Sequence, residues 1–294
     1  MPRPHIEFVQ AQALPWRDGL ASGDRPGAYS KTLSADENSG ATSILIGYPP
    51  GWSWGAGGPG IGHVRADEEF LVLDGALDID GRRYGKYAYG LLPAGFAREA
   101  MSAPDGAVVV TFFSAPAVAA RGASNGHDPR KLVAYIDALN APYKNEWARM
   151  GSADVNVNGI SMKLLREDPD TRDQTWLLGA VAGWPGGAFE IHPVVEEMYL
   201  ISGEIIGPFG HMRTGAYFWR PPGLRHGPFG TARPTLHLFR TEGGPLSTVF
   251  EPPGQPWDWQ VPFSPILPPD MAHLTAHEYA GPLDHWGVRP KAAA

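Results

Sequence analysis

The chain has no cysteine. That excludes disulfides, thiolate nucleophiles and cysteine-ligated zinc, and it leaves the redox compartment undetermined. There is no basic cluster either, and the 294 residues carry a formal charge of −7, which argues against a nucleic-acid surface. No apolar run is long enough to span a membrane, and the opening MPRPHIEFVQ has no apolar signal core. The expectation is a cytoplasmic protein that meets a small-molecule substrate rather than nucleic acid or membrane. A phosphate-binding glycine loop, a Gly-x-Ser-x-Gly elbow and a Cys-His pair are missing as well.

Glycine and proline are plentiful, at 37 and 30 residues, without a collagen period. This composition fits many short strands joined by tight turns. The chain also repeats itself. Lys31–Asp36 and Thr42–Gly47 parallel Lys163–Asp168 and Gln174–Gly179 at an offset of 132. Glu68–Gly75 parallels Glu196–Gly203, and Pro93-Ala-Gly95 parallels Pro221-Pro-Gly223, both at an offset of 128. A duplicated unit of this length means two similar domains. Within each, short β-rich apolar stretches close on Gly, Pro or Asp, the pattern of a barrel or jelly roll.

Between the repeats, Asp128 suits a helix N-cap, Pro129 a first helical position, and Leu132, Tyr135, Ile136 and Leu139 share one helical face. A helix is expected there. At the start, Ile6, Phe8 and Val9 can add an edge strand, with Leu14-Pro15-Trp16 as an anchor. The organisation expected is a first barrel over 1–127, a helical linker over 128–158, a second barrel over 159–250, and a tail over 251–294. The tail is rich in Pro and Trp, and its aromatics would be costly in water, so it is expected to pack on a barrel or a partner subunit.

The stretch from Phe189 to His226 concentrates the chemistry. Glu190 and His192 are two apart and share one side of a strand. His192, Glu196 and His226 make a set of two imidazoles and one carboxylate, as used by non-haem Fe(II) oxygenases. Pro193 obscures the register, so parity alone does not choose between Glu196 and Glu197. Glu190 can be a fourth ligand, a general base or a partner orienting His192. His237 can point into the same space, and Trp184, Tyr199, Tyr217 and Trp219 can line an apolar pocket. His211, His273 and His277 read as surface residues.

This stretch resembles the two motifs of the cupin superfamily. The motif G-x5-P-x-G-x2-H is matched by Gly215, Pro221, Gly223 and His226. In H-x-H-x3–4-E-x6-G, His192, Glu196 and Gly203 match, while Glu190 holds the first histidine position. The spacing looks most like the cupin of ChrR anti-sigma factors. The resemblance implies an all-β chain of two tandem RmlC-like jelly-roll barrels, a bicupin, with a metal held inside the second barrel by His192, Glu196 and His226. Counting back from Gly203 by the motif favours Glu196 over Glu197. The first repeat keeps His63 and Glu68 but places Ile61 and Arg98 where ligands would stand. Arginine offers no lone pair, so this site is expected to be degenerate, with Arg98 paired to Glu68.

The expected function is a metal-dependent dioxygenase acting on a small organic molecule, with Glu190 assisting proton transfer. The expected cofactor is one divalent metal per chain, iron first, with Mn, Zn or Ni also compatible with these ligands. A Lewis-acid isomerase, lyase or decarboxylase, and a non-catalytic ligand-binding or sensor barrel, are the alternatives. Homodimers are expected, since cupins commonly pair through strand edges.

Overall fold

The structure, a computed structural model, describes residues 2–21, 24–55, 61–121, 124–142, 159–252 and 257–287. It is almost entirely β, with antiparallel pairing throughout the assigned ladders. Two compact units emerge. The first takes Leu14–Asn140 with residues 2–3 and 285–287; the second takes Pro4–Ala13 and the described residues from 159 to 284. Each is a cupin-type jelly-roll barrel.

In the first unit the main sheet runs, in spatial order, Val133–Asp137, Ala88–Leu92, Glu68–Gly75, Ala107–Phe113, Thr42–Tyr48, Tyr29–Ala35 and Arg17–Asp18. A four-stranded sheet (Trp52–Trp54, Met101–Ala103, Leu77–Ile79, Arg82–Tyr84) and a three-stranded one complete it. Val72, Phe70, Val109 and Ile46 fill its core.

The second unit repeats the plan. Its main sheet orders Ile6–Gln10, Ala216–Arg220, Val195–Ser202, Thr235–Glu242, Gln174–Ala180 and Ile160–Glu167. The outer strand therefore comes from the extreme N-terminal end of the chain. The expected boundary at residue 1 of the first barrel is corrected: Ile6–Gln10 pairs with Ala216–Arg220 and buries Ile6, Phe8 and Val9 in the second unit. Alternation along each strand sends one set of side chains inward. Met198, Leu200 and Phe218 belong to the interior cluster with Phe8 and Trp184.

The motif glycines have mechanical reasons. Gly75 and Gly203 both have positive φ (70° and 95°), and a Cβ on either would collide with a neighbouring carbonyl, of Gly106 and Pro234 respectively. Only glycine fits a left-handed turn with so close a backbone approach.

The expected interdomain helix is not there. Asp128 makes a single turn, its Oδ1 accepting from the Arg130 N–H at 2.9 Å, and the chain then extends as Val133–Asp137 at the edge of the first sheet. The helical face fails on burial: Tyr135 and Leu139 are each 42% exposed, while Ala138, off that face, is fully buried. Val, Tyr and Ile suit a strand, and an open sheet edge outweighed the local N-cap signal. Residues 143–158 of the expected linker lie outside the described residues.

The tail follows the second unit before its last described residues, 285–287, join the first. Glu7 and Ile266 exchange backbone hydrogen bonds of 2.8 and 2.7 Å, and Phe263 packs edge-on against Phe8 with ring centroids 6.0 Å apart. In the first unit Trp286 meets Trp16, whose indole N–H donates to the Trp286 carbonyl at 2.7 Å.

Candidate metal centre

Two strands set the geometry of the second barrel's site. Phe189–Ile191 pairs with Arg225–His226 so that Glu190 stands directly opposite His226. The Pro221-Pro-Gly223 turn, with Gly223 at φ 77°, carries the chain into that second strand, and the Gly223 N–H donates to the His192 carbonyl at 2.7 Å. Glu190, His192 and His226 each offer a ligand atom, and these atoms all lie within 4.8 Å of one another. Both histidines are buried, at 2% and 4% exposure, and Glu190 is half-buried.

The ring protons are assigned by their partners. His192 Nδ1 lies 3.0 Å from the Ser247 carbonyl, and His226 Nδ1 lies 2.9 Å from the Leu224 carbonyl. A carbonyl only accepts, so each ring carries its proton on Nδ1 and leaves a lone pair on Nε2. Among the described residues, neither buried Nε2 atom has a hydrogen-bond partner. Metal-binding imidazoles are commonly held in this way, with the second nitrogen tied to a carbonyl. The residues present therefore fit a divalent cation.

Glu196 arrives from the neighbouring Val195–Ser202 strand. Its two oxygens lie 3.6 Å from His192 Nε2 and 3.4 Å from His226 Nε2. One of them also accepts from Arg220 Nη1 at 2.7 Å. Arg220 stands opposite Glu196 in the adjacent strand, fully buried, its guanidinium 3.6 Å from the Phe218 ring centroid. Its other side is held by Glu7 from the N-terminal strand, through Nε at 2.6 Å and through Nη2. Glu190 and Glu196 therefore both stand beside the two histidines, Glu190 3.6 Å from His192 Nε2, and Glu196 also joins them to the buried arginine.

Arg220 and Glu7 went unnoticed in the sequence. Arg220 sits inside the second motif at an unconstrained position, and parity with Glu196 is the signal that could have found it. Glu7 lies 213 residues away with no local signal. Burial alone would raise the Glu7 carboxyl, but the Arg220 guanidinium holds it down at about 2. Burial lowers His226, and Arg220 lowers it further, to about 4, so its imidazole stays neutral near pH 7. His192 is also penalised by burial, yet Glu196 and Glu190 raise it overall. Three carboxyl groups, Glu7, Glu190 and Glu196, thus gather around one guanidinium, an arrangement that suits a cation beside the imidazoles.

The site opens onto an apolar cavity of about 70 Å³. Glu190, Glu196, Arg220 and His226 line one part; Trp176, Trp184, Met198, Phe218, Phe229, His237 and Phe239 line the rest. Trp184 and His237 are thus in the wall. Tyr199, Tyr217 and Trp219 are not, which corrects the expected pocket. Glu196, Met198, Phe218 and Arg220 point inward, so the odd-numbered positions point to the other sheet face. There the Tyr217 hydroxyl donates to Glu197 at 2.5 Å, and Arg240 binds the same carboxylate.

The first barrel inverts this charge pattern. Glu68 accepts from Arg98 at 2.6 Å and from Arg25, so two guanidinium groups flank one carboxylate. Both arginines hold the Glu68 carboxyl low against its burial. Arg25 also donates to the Tyr48 hydroxyl at 3.0 Å; burial pushes that phenol up to about 12, so it stays protonated. Arg25 was not anticipated. His63 does not occupy the place of His192. Strand pairing sets Gly62 opposite Arg98, as Glu190 is opposite His226. His63 is therefore one residue out of register, and such a slip sends a side chain to the other face. Val64, on the inner face, joins the core instead.

The three histidines expected at the surface lie away from the site. His273 and His277 are exposed, and His211 is half-buried with Nδ1 2.7 Å from Glu204.

A family model described as a domain of unknown function, DUF4437, matches residues 7–245. A search of curated proteins finds no match. Among solved structures, the chain is similar to a protein of Nostoc punctiforme described as a candidate dioxygenase, at 18% identity and a TM-score of 0.70, covering 86% of this chain and 92% of that one. It is also similar to oxalate decarboxylase of Bacillus subtilis, studied for its Mn(II) centres, at 13% identity and a TM-score of 0.54, covering 83% and 78%. At these identities the likeness carries the fold. No helix among the described residues is long and apolar enough to cross a membrane.

Proposed function

The chain belongs to the DUF4437 family, and from that premise we propose that its second barrel is a metal-dependent enzyme that oxidises a small organic molecule with dioxygen. The observation carrying this reading is the pair of buried, unpartnered Nε2 atoms of His192 and His226, facing Glu190 and Glu196 at the end of an apolar cavity. His192, His226 and Glu190 would hold the ion, with Glu196 within reach of both rings. A bound Fe(II) or Mn(II) would supply open coordination positions for substrate and dioxygen.

The chain's own residues do the rest. The Ser247 and Leu224 carbonyls fix the imidazole tautomers. Arg220 holds one oxygen of Glu196 and so limits how far that carboxylate can turn. Glu190 and Glu196 both line the cavity, so the carboxylate that does not hold the ion would be left to assist proton transfer. The aromatic walls exclude water, which strengthens the electrostatics inside.

The neighbouring oxalate decarboxylase, with its Mn(II) centres, favours a second reading in which the metal acts without oxygen consumption. Oxygen uptake separates the two. After reconstitution with Fe(II) or Mn(II), turnover of a panel of small ring compounds is expected to consume dioxygen and to vanish in His226→Ala. Turnover without oxygen uptake would replace the oxygenase by the Lewis-acid enzyme. Ligand binding without turnover of any compound would leave a non-catalytic barrel.

A further inference from the structure

The cavity has a second polar end that the metal chemistry does not use. His237 is 0% exposed and Trp176 is 1% exposed, both line the cavity, and His237 Nδ1 and Trp176 Nε1 have no hydrogen-bond partner. Buried polar atoms are nearly always satisfied, and leaving one bare is destabilising. Two such atoms in the wall of one cavity mark the place of a ligand's polar group or of waters that a ligand displaces.

Strand register places them in layers. Glu196 stands level with Arg220 at the metal end. Two residues on, Met198 is level with Phe218 on one side and Phe239 on the other, and Phe239 is level with Trp176. Two residues further, Leu200 is level with His237, itself opposite Leu178. Successive layers are about 7 Å apart along a strand. The middle layer is aromatic: Trp176 and Phe239 stack with centroids 5.4 Å apart and planes within 5°. The far layer contains His237, whose Nε2 is 2.8 Å from the Thr235 hydroxyl. Trp176 Nε1 only donates, whereas His237 Nδ1 donates or accepts according to how that hydroxyl turns. Among the described residues, no charged side chain lines the cavity beyond the metal end. Burial holds His237 down at about 3, so its ring is neutral.

We infer that the second barrel takes a small planar ring compound that presents oxygens to the metal end and an uncharged hydroxyl or carbonyl to His237 and Trp176. The ring lies in the aromatic middle layer. The polar pair selects a neutral oxygen there, and a carboxylate at that end would be buried without a counter-charge. The cavity's 70 Å³ exceeds the roughly 10–15 Å³ needed by one water, which leaves room for a small organic ligand. The inference rests on the metal reading for the near end only.

The test uses catechol, 4-methylcatechol, 4-(hydroxymethyl)catechol and 3,4-dihydroxybenzoate, titrated into the full chain with and without Mn(II) and followed by isothermal calorimetry. The hydroxymethyl probe is expected to bind about tenfold more tightly than the methyl probe, the worth of one to two net hydrogen bonds, and more tightly than the carboxylate. The ratio is expected to fall to about one in His237→Leu and, independently, in Trp176→Phe, which keeps the ring and removes only the donor. Equal affinities for the methyl and hydroxymethyl probes in the wild type, preference for the carboxylate, or failure of all four to bind would overturn it. Dependence on Mn(II) is read separately. A preserved hydroxymethyl preference with no effect of Mn(II) on affinity would support the polar end while removing the metal reading.

Discussion

At the residue scale, the site is an arrangement of lone pairs and charges fixed by neighbouring carbonyls and by Arg220. The Leu224 and Ser247 carbonyls decide which imidazole nitrogen is free. His226 and His237 are both neutral in the fold, at about 4 and 3 against an ordinary value near 6.5, chiefly through burial. As pH falls below 6.5 the unfolded chain takes up protons that the folded chain refuses, so stability declines with falling pH until the folded values are passed. Glu7 acts in a lower window: its contribution is present above about 4.5 and is lost as pH falls through about 2. His192, raised by Glu196 and Glu190 against burial, runs the other way and loses its contribution as pH rises through its folded value. For the metal-free protein, urea midpoints measured from pH 7 to 4 should fall steadily. His237→Leu should flatten that slope, removing a term on the order of a few kcal/mol. An unchanged slope would mean that His237 titrates freely in the fold.

At the element scale, the instructive strand is Ile6–Gln10. Its alternation was readable as an edge strand, but nothing local says which barrel it joins. The answer lies in Glu7, which only makes sense beside the buried Arg220. Removing one partner of a buried ion pair is expected to cost about 3–5 kcal/mol, because the other charge stays buried. Glu7→Gln should therefore lower stability by that amount in urea titrations and weaken metal retention, since Arg220 is left with Glu196 alone. A cost below about 1 kcal/mol would show that Arg220 does not depend on this strand. Residues 128–139 teach the opposite lesson. Their N-cap and first-turn proline were sound local signals, but the unpaired edge at Ala88–Leu92 was a longer-range influence that no local pattern reports.

At the scale of the whole molecule, the duplication was legible because Glu68–Gly75 and Glu196–Gly203 keep the same glycine turn for the same steric reason. The side chains that motif spacing singled out, His192, Glu196 and His226, stand together in the fold, with Glu196 3.6 and 3.4 Å from the two Nε2 atoms. The pocket was less legible, because Tyr199, Tyr217 and Trp219 were chosen by proximity in sequence, and one step along a strand reverses the face. What the repeats conceal is their difference in charge. One barrel sets Arg220 between Glu7 and Glu196; the other sets Glu68 between Arg25 and Arg98. A dication suits the first arrangement and is repelled by the second. Restoring a histidine at position 98 should not by itself restore a site, because Arg25 still occupies Glu68.

The most direct measurement is metal content by elemental mass spectrometry on untagged protein reconstituted with Fe(II) or Mn(II), for the wild type, His226→Ala and Arg98→His. About one ion per chain is expected in the wild type, with its loss in His226→Ala and no second ion in Arg98→His. A wild type that holds no metal after reconstitution, or a His226→Ala variant that keeps its full complement, would contradict a metal centre in the second barrel.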